Sequence, residues 1–360
     1  MPHELLDGLL RIMGQRNGSD LHLKVGARPR VRSSAGLSVI ANVPIVEESI
    51  LNELAQGSMT PDLWATLQVA RQVDYAYTNA DGARFRVNAF YQRGFISMAF
   101  RRVAANPAAI EELFLPEVVQ RLANERRGLI LVTGPTGSGK TSTLASMIRH
   151  INMTRECHIV TIEDPIEILH TDQRALINQR EIGFDATSFA LAMKAAMRED
   201  PDVILVGEMR DEETVHAAIA AAETGHLVLS TLHTTNAKET ISRIIDFFPA
   251  QQQNQIRASL AGSLRGVICQ RLVQIRDGSL RPVIEVMVAN GRIAQCILER
   301  ERGSDIPSII KESEFYGMRT FEKSLFELID SGLLDPREAL LSASSPQDLQ
   351  VMLQRTGKGK

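Results

Sequence analysis

The sequence predicts an α/β protein, a parallel sheet covered by helices on both faces, with a smaller α+β domain before it and a helical region after it. Three observations carry this. Short, continuously apolar runs alternate with helix-patterned segments between residues 128 and 232. A glycine-rich stretch, "GPTGSGKT" (134–141), lies between one such run and one such helix. The first hundred or so residues lack this rhythm and mix short strand-like runs with helical stretches.

A chain of 360 residues allows two domains and an appendage. Its hydrophobic fraction of 44% is ample for packed cores, and a net charge of −3 gives no global reason to expect a nucleic-acid partner. Cys157, Cys269 and Cys296 are scattered and never form CxxC, so neither a disulfide framework nor a zinc site is expected. "MPHELLDGLL" lacks a basic segment followed by an apolar run, and no stretch approaches a membrane span. These features together predict a protein of the reducing cytoplasm.

In order along the chain, residues 3–16 carry Leu5, Leu6, Leu9, Leu10 and Met13 at helical spacing, and "NGSD" (17–20) ends that helix. "LHLKV", "RFRVNAF" (84–90) and "FISMAF" (95–100) read as strands. Residues 47–70 read as helical, with Pro61 opening the second part. The first domain is expected to span 1–103, followed by a linker over 104–116 that runs into a short helix. The strands of the second domain are "GLILVTG", "HIVTIED", "VILV" and "HLVLSTL". The helices between them are "KTSTLASMIRHI", "TSFALAMKAAM" and "EETVHAAIAAAETG", the last closed by Gly225. Apolar strands alternating with helices are the pattern of a parallel sheet buried on both faces. This domain is expected to span 117–300 and a helical region 301–360, with the chain mostly helical after Pro282 and the tail "RTGKGK" disordered.

"GPTGSGKT" fits G-x-x-x-x-G-K-[ST] with a strand before it and a helix after it. Glycines let the backbone turn tightly and aim its N–H groups at phosphate oxygens, and the helix N-terminus adds a positive dipole end. The expected nucleotide cradle is Gly134, Pro135, Thr136, Gly137, Ser138, Gly139, Lys140, Thr141 and Ser142. Lys140 is placed to reach the β- and γ-phosphates of ATP and Thr141 to ligate Mg²⁺. The bland alternative is a glycine-rich turn that binds nothing.

Phosphoryl transfer also needs a carboxylate on the metal side and a group that orients water. Glu163, Asp164, Glu208 and Asp211 all follow strands at the sheet edge where ligands bind. Asp164 and Asp211 are equally well placed to be a surface turn acid and a helix N-cap. Spacing alone does not choose between Glu163 and Glu208. His226 and His233 flank one strand seven residues apart, so they face opposite sides and do not form a metal pair. His233 stands where a γ-phosphate sensor belongs, although both histidines also fit purely structural roles. Arg84, Arg86, Arg93, Arg101 and Arg102 crowd into nineteen residues, either a solvated strand face or cationic charge for a γ-phosphate.

Assembled in order, these motifs resemble the PilT/PilU family, the retraction ATPases of type IV pili. The similarity spans nearly the whole chain: "GSDLHL" (18–23), "RFRVNAF", the Walker A "GPTGSGKTST", the Asp box "VTIEDPIE" (160–167), the Walker B "DPDVILVGEMRDEET" (200–214), the His box "GHLVLSTLHTTNA" and "GMRTFEKSL" (317–325). The resemblance implies a PAS-like first domain, a RecA-like P-loop ATPase second domain and a homohexameric ring with ATP and Mg²⁺. It implies Glu163 as the water-activating glutamate, Glu208 as the Walker B acid on the Mg²⁺ side and His233 beside the γ-phosphate. It also implies that Arg86, Arg93 and Arg101 are nucleotide-facing arginines of the first domain. Partners implied are an inner-membrane platform protein, approached from the cytoplasmic face, and a paralogous retraction ATPase, with no nucleic acid.

The family's retraction motif AIRNLIRE corresponds to "RIAQCILE" (292–299), where Ile293, Ile297 and Glu299 match and the first arginine does not. A primary retraction motor, a PilU-like accessory ATPase and a nucleotide-dependent scaffold all remain open on this reading. An extension or secretion ATPase is disfavoured because such proteins carry an extra N-terminal domain and a four-cysteine zinc insert, whereas this sequence starts close to "GSDLHL" and has no CxxC.

Overall fold

The structure, a computed structural model, describes residues 2–355. The chain divides into two compact units, Met1–Ala105 and Asn106–Lys360. Most of the tail expected to be disordered, 356–360, lies outside the described residues.

The first unit opens with α1 (Pro2–Gln15), followed by β1 (Asp20–Lys24), β2 (Arg30–Ser33), β3 (Gly36–Val39), α2 (Glu48–Ser58) and α3 (Pro61–Ala70). It continues through β4 (Gln72–Thr78), β5 (Arg84–Gln92), β6 (Phe95–Arg102) and the short β7 (Ala104–Ala105). Leu6, Leu9, Leu10 and Met13 bury one stripe of α1, whereas Leu5, expected in that stripe, is 44% exposed. The helix ends where Asn17 turns left-handed (φ 52°) and the Gly18 N–H closes onto Met13 O. Pro61 occupies the first turn of α3 behind a Thr60 cap, where its missing N–H costs nothing. Strands β1 to β6 form one antiparallel sheet in the order β3-β2-β1-β6-β5-β4. Three of these strands, β2, β3 and β4, lie outside the runs legible in the sequence. Tyr77 donates to buried Asp7 at 2.8 Å, which ties α1 to the sheet.

The second unit contains α4 (Glu117–Ala123), β8 (Gly128–Thr133), α5 (Lys140–Thr154), β9 (His158–Glu163), the short β10 (Ile168–Leu169) and β11 (Leu176–Glu181). Then come α6 (Phe189–Ala196), β12 (Val203–Val206), α7 (Glu212–Glu223), β13 (Leu227–Leu232), α8 (Ala237–Asp246) and α9 (Gln253–Ser263). The hairpin β14 (Leu264–Gln274) and β15 (Leu280–Val288) leads into α10 (Gly291–Leu298), α11 (Ile306–Glu312), α12 (Phe321–Asp330), α13 (Pro336–Ser342) and α14 (Pro346–Arg355). The sheet order is β11-β9-β12-β13-β8-β14-β15. All neighbours are parallel except β14 and β15.

Alternation within a strand divides the core between the two faces. Leu129 and Leu131 pack on one side with Val160, Ile204 and Val228, and Ile130 and Val132 on the other with Ile159, Val203 and Leu229. The helices α10 to α14 cover the first of these faces with Ile293, Ile309, Phe321, Leu325 and Leu353. Ile110 and Leu115, from the stretch read as linker, are buried in the core of the other face.

Two features depart from the sequence reading. The chain does not turn helical at Pro282, which instead sits within β15 opposite Leu272. An edge strand tolerates proline because one side of its backbone has no ladder partner. The other edge, β11, reads "LINQRE", too polar to announce itself as a strand. Among the described residues no helix is long and apolar enough to cross a membrane.

Candidate active site

The wholly buried strand β8 delivers the chain to the glycine-rich loop, and α5 starts directly after it at Lys140. Gly134 (φ 147°), Gly137 (φ 79°) and Gly139 (φ 90°) adopt backbone conformations that side chains disfavour. At Gly134 a Cβ would also lie 2.2 Å from the carbonyl oxygen of Gln270, and at Gly139 2.7 Å from the Gln270 side-chain nitrogen. Strand β14 therefore presses directly against the loop, and Gly134 is required sterically as well as conformationally. The Lys140 ammonium donates to Gly134 O at 2.8 Å and Pro135 O at 3.1 Å. Burial lowers its pKa, against the opposing pull of Glu208 and Glu167. The buried Ser138 hydroxyl has no protein partner, and Pro135, Thr136 and Gly137 are exposed along the loop. Thr141 is half-buried and Ser142 exposed in the first turn of α5.

This loop opens into a cleft of about 580 Å³ whose walls include Lys140, Thr141, Glu163, Asp164, Glu208, Arg210 and His233. A groove of about 630 Å³ between α6 and α7 contains none of the candidate nucleotide-site residues, only Glu212 and Glu213 from the end of the Walker B stretch.

Strands β9 and β12 are neighbours, so Glu163 at the end of one and Glu208 just beyond the other come from adjacent strand ends. Their surroundings differ. Glu163 Oε1 accepts from Thr161 Oγ1 at 2.7 Å and Gln179 Nε2 at 3.1 Å, and among the described residues no cation pairs with it. Burial raises its pKa despite those donors. Glu208 meets Arg210 at 2.8 Å through Oε2 and His233 Nε2 at 3.2 Å through Oε1. Burial alone would raise Glu208, but the bonds and charges of Arg210 and His233 outweigh it and the net shift is downward. One carboxylate is thus suited to take a proton, the other to remain an anion beside a cation. Thr141 and Glu208 offer hard oxygen donors of the kind Mg²⁺ takes alongside phosphates and water. Among the described residues no cluster of three His, Cys, Asp or Glu forms a protein-only metal cage, and Mg²⁺ in nucleotide sites does not need one.

The histidines separate. His233 lines the cleft, whereas His226 stands at the other end of β13, its Nδ1 3.0 Å from Ala221 O and 3.3 Å from Thr224 Oγ1. Asp164 lines the cleft. Asp211 is the N-cap of α7 and accepts from Thr214 N at 2.8 Å, so its structural role holds. Gly207 lines the cleft. A Cβ there would point at Ile162 O (3.3 Å) and Glu163 Cα (3.5 Å), so its small size serves the approach of β12 to β9.

Arg86, Arg93 and Arg101 stand on the first unit. Arg86 and Arg101 are opposite each other on β5 and β6, on the exposed face of the sheet. Arg101 pairs with Asp20 at 2.8 Å. Burial raises the pKa of Asp20, but the bonds from Ser19 and Arg101 outweigh it and hold the carboxyl low. Arg93 (φ 52°) and Gly94 (φ 84°) form the two-residue turn between these strands, a geometry that needs positive φ at both positions.

Sequence reasoning missed Thr161, Gln179 and Gln270. Thr161 could have been found, since residues two apart on a strand share a face. Gln179 comes into reach only because β11 pairs with β9 and sets it opposite Thr161. Gln270 accepts from buried Thr143 at 2.7 Å from the unpredicted strand β14.

A P-loop on a parallel sheet, with carboxylates from adjacent strand ends in one cleft, defines the class as a P-loop nucleotide hydrolase. The family described as "Type II/IV secretion system protein" matches residues 99–325. The type IV pilus ATPase PilU of Pseudomonas aeruginosa is 38% identical over 346 residues, covering 96% of this chain and 90% of that protein. PilT of the same organism, named a type IV pilus retraction ATPase, is 40% identical over 340 residues, covering 94% and 98%. A crystal structure of the pilus retraction motor PilT with bound ADP superposes with a TM-score of 0.88 at 40% identity, covering 96% of this chain and 99% of that one. The chain belongs to the PilT/PilU family of secretion ATPases.

Proposed function

We propose that the chain hydrolyses ATP as the motor of type IV pilus retraction. The observation that carries this is the opposite electrostatic setting of Glu163 and Glu208 beside one phosphate cradle. Residues Gly134 to Ser142 hold the phosphates, with Lys140 on the β- and γ-oxygens. Thr141 and Glu208 would hold Mg²⁺, which would supply charge neutralisation at the phosphates. Glu163 takes the proton of the attacking water. His233, held against Glu208 at 3.2 Å, reads the γ-phosphate. Exposed Arg86 and Arg93, with Arg101, add cationic charge within a homohexamer, some of it from a neighbouring subunit. The ring docks on a platform protein at the cytoplasmic face of the inner membrane.

Replacing Glu163 by Gln removes the base but keeps shape and hydrogen-bonding reach. The expected result is retained ATP binding with turnover reduced by at least about 100-fold. Full turnover in this variant sinks the assignment.

A second reading, a PilU-like accessory ATPase, is favoured by "RIAQCILE". In α10 and the residue after it, Ile293, Cys296 and Ile297 are buried, while Leu298 is exposed. The exposed face of this helix thus departs from the PilT motif at Leu298 while its packing face is apolar. Purified hexamers with strong ATP binding and negligible turnover in the absence of a paralogue would favour it over a primary motor.

A further inference from the structure

Gln179 projects from β11, the edge strand beside β9, and its amide joins three separate groups. Nε2 donates to Glu163 Oε1 at 3.1 Å and to Ile168 O at 3.0 Å, and Oε1 accepts from His170 N at 2.8 Å. These partners fix the orientation of the amide. His170 N can only donate, and a carbonyl and a carboxylate can only accept, so a flipped amide would lose all three bonds. Thr161, directly opposite Gln179 on the neighbouring strand, donates to the same Glu163 oxygen at 2.7 Å. Both side-chain donors therefore end on Oε1, and no side chain among the described residues donates to Oε2.

We propose that Gln179 is a positioning residue for ATP hydrolysis: with Thr161 it fixes Glu163 Oε1, making Oε2 the oxygen that receives the proton of the attacking water. This rests on Glu163 being the base. In that step a water O–H bond breaks toward Oε2, the water oxygen bonds to the γ-phosphorus, and the bond to the ADP leaving oxygen breaks. Gln179 also holds the turn between β9 and β11 through Ile168 and His170, so the base and the loop beside it are aligned by one side chain.

The charges around Glu163 come from several elements. Glu167 lies on its own loop, buried Glu181 faces it from β11, and Lys140 lies in the phosphate loop. Glu208 and Arg210 follow β12, and His233 follows β13. Glu167 raises the Glu163 pKa, whereas Thr161, Gln179 and the Glu167 N–H favour the ionised form. Loss of the Gln179 donor must therefore move the acid limb of turnover upward.

The test is kcat and KM for MgATP from about pH 5 to pH 9 with the full chain. In Gln179→Leu the acid limb of kcat is expected about one pH unit higher, so turnover on that limb falls about tenfold while KM changes little. Gln179→Glu keeps an acceptor for His170 N but sets a second carboxylate against Glu163, and its limb is expected higher still. If Gln179→Leu loses ATP binding, Gln179→Glu carries the reading. An unmoved limb in the variant that binds ATP, with Glu163→Gln inactive, overturns the positioning role and leaves the base standing. An active Glu163→Gln removes the base itself and the proposal with it.

Discussion

The hydrogen bond between Thr143 and Gln270 can be dissected quantitatively, because both side chains are essentially buried, at 0% and 3% exposure. Thr143 Oγ1 donates to Gln270 Oε1 at 2.7 Å and joins the first turns of α5 to β14 directly beneath the phosphate loop. Thr143→Val keeps the volume but leaves the Gln270 oxygen without its donor, a cost of about 1–3 kcal/mol. Gln270→Leu costs less, about 1 kcal/mol, because a helical threonine can turn its hydroxyl back to the carbonyl one turn earlier. With both replaced, neither polar group is stranded, so the double variant is expected to be more stable than the sum of the singles by about 1 kcal/mol or more. For a domain of this size, about 2 kcal/mol corresponds to a Tm lower by about 4–8 °C. Thermal unfolding of the full chain and the two single and one double variants measures this. The same series should show a raised KM for ATP in Gln270→Leu, because that side chain and its backbone oxygen abut Gly139 and Gly134. Strict additivity of the two substitutions, within about 0.5 kcal/mol, would refute the coupling.

Two further outcomes follow from the site. Gly207→Ala should lower kcat and spare KM for ATP, because its Cβ crowds Ile162 O beside Glu163; a raised KM with normal kcat would instead indicate that Gly207 faces the nucleotide. His170 has its pKa lowered from 6.5 to about 4 by burial, so the folded state resists a proton that the unfolded chain takes up. Stability linked to His170 is therefore present above the unfolded value and lost as pH falls from 6.5 toward about 4, with about 2 kcal/mol gone by pH 5. His170→Leu should flatten that part of the stability–pH curve in urea titrations, and an unchanged slope between pH 6.5 and 5 would contradict it.

The elements legible in the sequence were those whose residues speak alone. "GLILVTG" and "HLVLSTL" are mostly apolar because their strands lie inside the sheet, and α1 shows its stripe because a buried helix face repeats every 3.6 residues. The strands that escaped notice lie mostly at sheet edges or carry polar residues. In β11 and β15 one side of the backbone has no ladder partner, so polar residues and even Pro282 are admissible.

The sequence by itself determined the glycine-rich loop, its place between strand and helix, and the pair of acid-ended strands. Each of these is local, since a P-loop is made by consecutive residues and a buried strand by its own side chains. Which acid stands in which environment was decided only by the tertiary structure. Glu163 and Glu208 are the same residue type at adjacent strand ends, and of the groups that set them apart only Thr161 and Arg210 are near in sequence. The rest of the difference comes from burial in the assembled sheet and from side chains that reach them across space, Gln179 from the neighbouring strand and His233 from just beyond β13. Proton affinity depends on burial and on through-space donors and charges, which only the assembled sheet supplies.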